Sequence, residues 1–214
     1  VFYLLFRGEL PTPSDAQIFE ALMIGLINPG PRHPATRAAM NVGVGKTNPL
    51  HILPIASAVL GGDYLGGGEI ENAMRFLRKH QSSSVHELLA QWNDAGALPE
   101  MCAECGIYGF GQKHGGVDLL TQSIASQLLA LPGAGNCLRF GQQLADCLQP
   151  YGIGWLSTGV AAAVFADLGF HPRAGGCLFQ LLGAPGLVAH GLELANKPIT
   201  AMPFVGDGNY VIER

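Results

Sequence analysis

Apolar residues recur at three- and four-residue spacing along almost the entire chain, a period that α-helices satisfy and strands do not. Ile18, Leu22, Met23 and Leu26 share one face of a first helix, which Ser14 is placed to cap and Asn28-Pro-Gly to end. Pro34 opens a second helix through Ala38 and Met40, and Pro49 a third through Ile52, Ile55 and Val59 that stops at Gly61-Gly62. Residues Glu69 to His80 are acidic early and basic late, the order that suits a helix dipole. Ser83 or Ser84 caps a fifth helix around Val85–Trp92. Asp118 caps a sixth, with Leu119, Ile124 and Leu128 on its buried face, and a seventh runs from Asn136 to Leu148. Two apolar helices, 157–168 and 171–183, flank the turn Gly169-Phe-His-Pro172, and Pro185–Glu193 forms the last. Only Pro203–Glu213 alternates as an extended segment would. The predicted class is all-α.

Composition limits the partners. Charged residues make up 13% of the 214, against about a quarter in ordinary soluble domains. So little charge predicts that much surface is covered in an obligate oligomer. The net charge of −4 and the absence of basic runs argue against a nucleic acid partner. No apolar run reads as a membrane span, and Val1–Phe6 is too short and lacks the basic flank of a signal peptide. A chain that begins inside an apolar segment, without Met, is expected to lack preceding residues. Five cysteines, an odd number without a dense framework, fit a reducing cytoplasm. The 30 glycines follow no repeat and are expected at close helix contacts and helix ends.

Two motifs imitate sites. Gly43-Val-Gly-Lys-Thr47 ends like a phosphate-binding loop, but the glycine required upstream is Met40 and no strand precedes it. Cys102-Ala-Glu-Cys105 has metal or redox spacing, but tetrahedral zinc needs a second pair, and His114 would be only a third ligand. No metal is expected, and no Gly-x-Ser-x-Gly hydrolase elbow is present.

Several segments, in order, resemble one family. They are Tyr3-Leu-Leu-Phe-Arg-Gly-Glu-Leu-Pro11, Asn28-Pro-Gly-Pro-Arg-His-Pro34, Gly62-Asp-Tyr-Leu-Gly-Gly-Gly68 and Gly109-Phe-Gly-Gln-Lys-His-Gly-Gly-Val-Asp118. Leu168-Gly-Phe-His-Pro172, Leu178-Phe179, Pro185-Gly-Leu-Val-Ala-His190 and Lys197-Pro-Ile199 continue the series. Together they are similar to the citrate synthase and citryl-CoA lyase superfamily, over essentially the whole chain. The resemblance implies an all-α homodimer whose large domain comprises residues 1–66 and 157–214 and whose small domain comprises 67–156. It implies a coenzyme A thioester and a small carbonyl compound as substrates, joined or separated at a carbon–carbon bond.

In that family a carboxylate takes the proton alpha to the thioester, one histidine stabilises the enol and another polarises the acceptor carbonyl. By the resemblance, Leu65 stands at the first histidine, Gln112 at the second, and Thr158 at the carboxylate. The arginines that clamp acceptor carboxylates fall at Leu119 or Leu120, Gly183 and Ala201. Leucine donates no hydrogen bond and threonine is no base near neutral pH, whereas Gln112 can still donate to a carbonyl. Without the arginines a di- or tricarboxylate loses charge-assisted contacts worth roughly 1.5–3 kcal/mol each.

The groups available as substitutes are Asp63, Tyr64, Gln112, His114 and Thr158 for catalysis, with His33, Glu69 and Lys113 toward substrate. Each has a plainer alternative. His114 is a solvated loop residue unless it swings into the lost histidine's role. Asp63 and Glu69 are displaced bases or charges satisfying helix ends. Tyr64 polarises an oxygen or packs beside glycines. His33 touches substrate or orders its turn, Lys113 meets a coenzyme A phosphate or only solvent, and His190 is an interface histidine. The two resulting functions are an acyl-CoA-dependent acyltransferase or carbon–carbon lyase with an altered acceptor, and a non-catalytic subunit of the same fold that binds a coenzyme A derivative, a metabolite or a protein.

Overall fold

The computed structural model describes residues 1–94 and 107–202. The Cys102–Cys105 pair and the alternating segment Pro203–Glu213 lie outside the described residues. Helices dominate: α1 (Phe2–Arg7), α2 (Pro13–Gly25), α3 (Pro34–Val44), α4 (Ile52–Leu60), α5 (Ile70–His80), α6 (Val85–Asp94), α7 (Leu119–Leu129), α8 (Asn136–Leu148), α9 (Ser157–Asp167) and α10 (Pro172–Ala195). Among the described residues one short antiparallel pair, β1 (Phe110–Gly111) and β2 (Gly154–Trp155), aligns Phe110 with Trp155 and Gly111 with Gly154. The all-α class is therefore correct.

Local chemistry explains most boundaries, and the structure corrects two of them and one buried face. Thr12, not Ser14, caps α2: its hydroxyl accepts from Asp15 N at 3.2 Å while Asp15 accepts from Thr12 N at 3.2 Å, with Pro13 at the first helical position. Leu119 is not on the buried face of α7 but 73% exposed, because Ala125 and Leu128 define that face instead. The chain does not break before Pro185. Proline lacks an N–H and crowds the carbonyl four residues earlier, but its fixed φ is itself helical, and α10 runs through it. The resulting 24-residue helix is long and apolar enough, by length and composition, to cross a membrane, with 44% of its most apolar stretch buried. Its glycines lie against neighbouring helices, as a core helix's would: Gly175 against Ile70 and Met74, Gly191 against Ile52.

Contacts divide the chain into two compact units, Val1–Ile27 with Leu60–Gly183, and Asn28–Val59 with Ala184–Arg214. This is a different partition from the one the resemblance implies. The large domain of 1–66 and 157–214 and small domain of 67–156, which concern closure over a substrate, stay a proposal. In the first unit α9 is the axis. Thr158 to Ala166 are all buried, which is why the helix has no polar face, and it packs chiefly on α5 and α8. Tyr3, Phe19 and Phe165 surround Phe170 with ring centroids 5.4 to 5.8 Å apart.

In the second unit Met40, Val44, Leu194 and Met202 form a core, and α3 crosses α10 at Gly43 and Gly191 with no room for a β-carbon at Gly43. The false phosphate loop has a structural task here. Lys46, with a left-handed φ of 59°, donates to the carbonyls of Ala195 at 2.8 Å and Lys197 at 2.6 Å, closing the C-terminal end of α10. Lys46→Met is expected to lower stability by about 1 kcal/mol, measured by chemical denaturation, with unchanged stability counting against the capping role.

Candidate active site

Three segments meet in the first unit. The first is the turn between α4 and α5. Gly68 N bonds back to Gly62 O at 3.1 Å, and a β-carbon at Gly66 would strike the carbonyls of Leu60 and Gly62, so the turn closes only because glycine is there. Leu65 within it is buried and has a φ of 52°, a left-handed backbone that costs a non-glycine residue about 1–2 kcal/mol. Glu69 follows in a 3₁₀ turn, Gly67–Glu69, at the start of α5, and its side chain makes no capping bond to that helix.

The second segment is the loop 109–118. Its first residue, Gly109 (φ 86°), lies against Gly159 with no space for a side chain on either, and its carbonyl accepts from Leu156 N at 3.0 Å. Phe110 then stacks on Trp155 at 4.5 Å, and the pairing of β1 with β2 sets the direction of the remainder of the loop. Lys113 and Gly116 bridge a tight turn in which His114 (φ 56°) and Gly115 (φ 87°) are both left-handed. The third segment is the first turn of α9, carrying Thr158.

Glu69, Thr158 and Asp63 come together there. Thr158 is fully buried, and Glu69 turns its carboxyl toward Thr158 and the Gly109 backbone instead of to its own helix. Neither Glu69 Oε1 nor Thr158 Oγ1 completes a well-formed hydrogen bond with a described residue, although both are shut off from solvent. Two such orphans side by side are unusual in a folded interior. Burial pushes the Glu69 carboxyl above its usual range. The nearby Thr158 hydroxyl and Gly109 backbone work against that shift, and the charge of Asp63 adds to it. Asp63 is exposed and lies with Oδ1 beside Gly68.

The other residues singled out from the sequence lie elsewhere. Tyr64 is 67% exposed. Gln112 is exposed with its amide nitrogen against Gly152, and His114 is exposed at the tip of its turn. Lys113 gives its ammonium to Asp118 Oδ2 at 2.6 Å. Asp118 also takes Thr121 Oγ1 at 2.7 Å and Thr121 N at 3.3 Å. Although burial opposes it, bonding from Lys113 and Thr121 holds the Asp118 carboxyl below its usual range. His33 orders its own turn, accepting from Ala35 N at 3.1 Å through Nδ1 as the cap of α3. His190 Nδ1 is 3.8 Å from Glu193, and its Nε2 is buried without a partner among the described residues. Glu69 was legible as a substrate contact or a displaced base. The sharper signal was an acidic residue directly after three glycines.

No protein-family model matches the chain, and no curated protein matches it by sequence. Solved structures do. The citryl-CoA lyase of Hydrogenobacter thermophilus superposes with a TM-score of 0.76 at 25% identity, over 100% of this chain and 82% of that one. This chain has the fold of the citrate synthase and citryl-CoA lyase superfamily. The fold is shared with citrate synthase from Thermotoga maritima, TM-score 0.70 at 19% identity, over 100% of this chain but 58% of that one. It is shared also with Methanosaeta concilii ATP citrate lyase, a D541A mutant in complex with (3S)-citryl-CoA, TM-score 0.69 at 18% identity, over 96% of this chain and 36% of that one. The chain therefore spans a little over half of the citrate synthase and about a third of the ATP citrate lyase.

Proposed function

We propose that the chain is an enzyme of coenzyme A thioesters that forms or cleaves a carbon–carbon bond, with an acceptor other than a tricarboxylate. The observation that carries this reading is the enclosed Glu69–Thr158 pair at the junction of both glycine-rich loops with α9. A buried carboxyl with an unused oxygen is suited to proton transfer next to a thioester carbonyl. The relatives named as citryl-CoA lyase and as an ATP citrate lyase holding citryl-CoA support the substrate class. The altered acceptor rests on Leu119 and Leu120, 73% and 69% exposed, at positions where the resemblance calls for arginine. A homodimer is part of the proposal, supported by exposed apolar side chains such as Leu50, Leu53 and Leu192. A cytoplasmic location, on the odd cysteine count, belongs to it too.

A second reading, a non-catalytic subunit binding a coenzyme A derivative, a metabolite or a protein, is favoured by the buried Leu65 where the family's enol-stabilising histidine is expected. Calorimetric titration with acetyl-CoA at modest salt tests the coenzyme A half of the site. Saturable binding is the expected result. A folded protein that shows no binding would overturn the enzyme reading.

A further inference from the structure

We infer that Glu69, held against the Thr158 hydroxyl, is the group that carries the proton to and from the carbon next to the thioester carbonyl, with Thr158 as its positioning residue. The inference rests on the coenzyme A thioester reading above and assigns its central step.

Two independent observations converge on it. Glu69 opens α5 yet makes no side-chain capping bond to it, so capping does not account for where its carboxyl lies. Thr158 is wholly enclosed, and its hydroxyl faces the Glu69 carboxyl without completing a well-formed hydrogen bond, in the first turn of α9, where backbone N–H groups favour negative charge. Desolvating a hydroxyl and a carboxyl oxygen together without pairing them is costly unless a ligand completes the set.

The step balances simply. The Glu69 carboxylate takes a proton from the α-carbon. That C–H bond breaks, an O–H bond forms on Glu69, and the electron pair moves onto the thioester oxygen as an enolate. The reverse returns the proton to carbon. Thr158 cannot itself be the base, but its hydroxyl favours the ionised carboxyl and orients it. Asp63 is the charged group that acts on Glu69, while Thr158 and Gly109 contribute only hydrogen-bonding groups. Burial and Asp63 lift the carboxyl, which makes it a stronger base once ionised and places its titration closer to neutral.

The test is deuterium uptake into the acetyl methyl of acetyl-CoA in D₂O, followed by NMR across pH, alongside calorimetric binding. Glu69→Gln is expected to bind acetyl-CoA within about threefold of wild type and to lose exchange by ~100-fold or more. Glu69→Asp should recover part of it. Thr158→Val should still bind but shift the midpoint of the pH profile upward, because the ionised form loses a donor. Exchange by Glu69→Gln within about threefold of wild type would overturn this assignment while leaving the enzyme reading intact. A Thr158→Val profile that does not move would make Thr158 merely structural. Wild type that neither binds nor exchanges would overturn both readings. Should Glu69→Gln fail to fold, ¹³C NMR titration of the Glu69 carboxyl in wild type decides: a midpoint above the usual range that moves on adding acetyl-CoA supports the assignment, and an ordinary, unmoved midpoint overturns it.

Discussion

Gly159→Ala is expected to lower stability by about 3 kcal/mol, the upper part of the range for forcing atoms into a filled interior. In a domain of this size that lowers the melting temperature by roughly 6–12 °C. The reason is geometric. A β-carbon on Gly159 would occupy the space of the Gly109 carbonyl, and the obstacle is backbone, not a side chain able to rotate away. Relief requires the loop 109–118 to lift from α9, which breaks the bond from Leu156 N to Gly109 O and removes the Gly109 backbone from Glu69. Deuterium exchange should fall together with stability. Calorimetric melting of the variant checks the first effect, and a change of less than about 2 °C would mean the two glycines are not in the contact described.

The second large effect is expected at Asp167. α8 is preceded by Gly135, which has no side chain to cap it, and Asp167 at the end of α9 does the capping from 30 residues away. Its Oδ1 accepts from Cys137 N at 2.8 Å and its Oδ2 from Leu138 N at 3.0 Å. Asp167→Ala removes both acceptors and leaves two helix N–H groups in a partly buried place, for a loss of about 2–4 kcal/mol. Asp167→Asn keeps one acceptor and should lose about half as much. Urea denaturation of the two variants measures the difference, and equal stabilities would contradict the capping geometry. Cys137, whose thiol is pushed up to about 12 by burial and by Asp167, is not expected to react with alkylating reagents in the native protein.

Much of this architecture was legible without coordinates. The helical period located α8 at Asn136–Leu148, because a strongly amphipathic segment leaves one face no alternative but the core. The proline starts at Pro34 and Pro49 were readable for a local reason, since proline lacks the N–H that a helix start cannot use. Errors arose where tertiary packing overrules local preference. Pro185 punctuates a sequence, but a helix packed along both of its halves runs through it. Ser14 and Thr12 are equally good caps on paper, and the reciprocal bond with Asp15 selects Thr12.

By itself the sequence determined the helical class, the glycine-rich loops and the superfamily resemblance, because period, punctuation and motif order are properties of the chain. Which polar groups would be shut away from water together was decided only in three dimensions. Glu69 and Thr158 are 89 positions apart, and nothing in either neighbourhood points to the other. Their meeting depends on the closure of Gly109 onto Gly159, which packs a loop against the first turn of a buried helix. Gln112 and His114, close together in the motif that first draws attention, are exposed, on the stretch between the β1–β2 pairing and the turn at Lys113–Gly116.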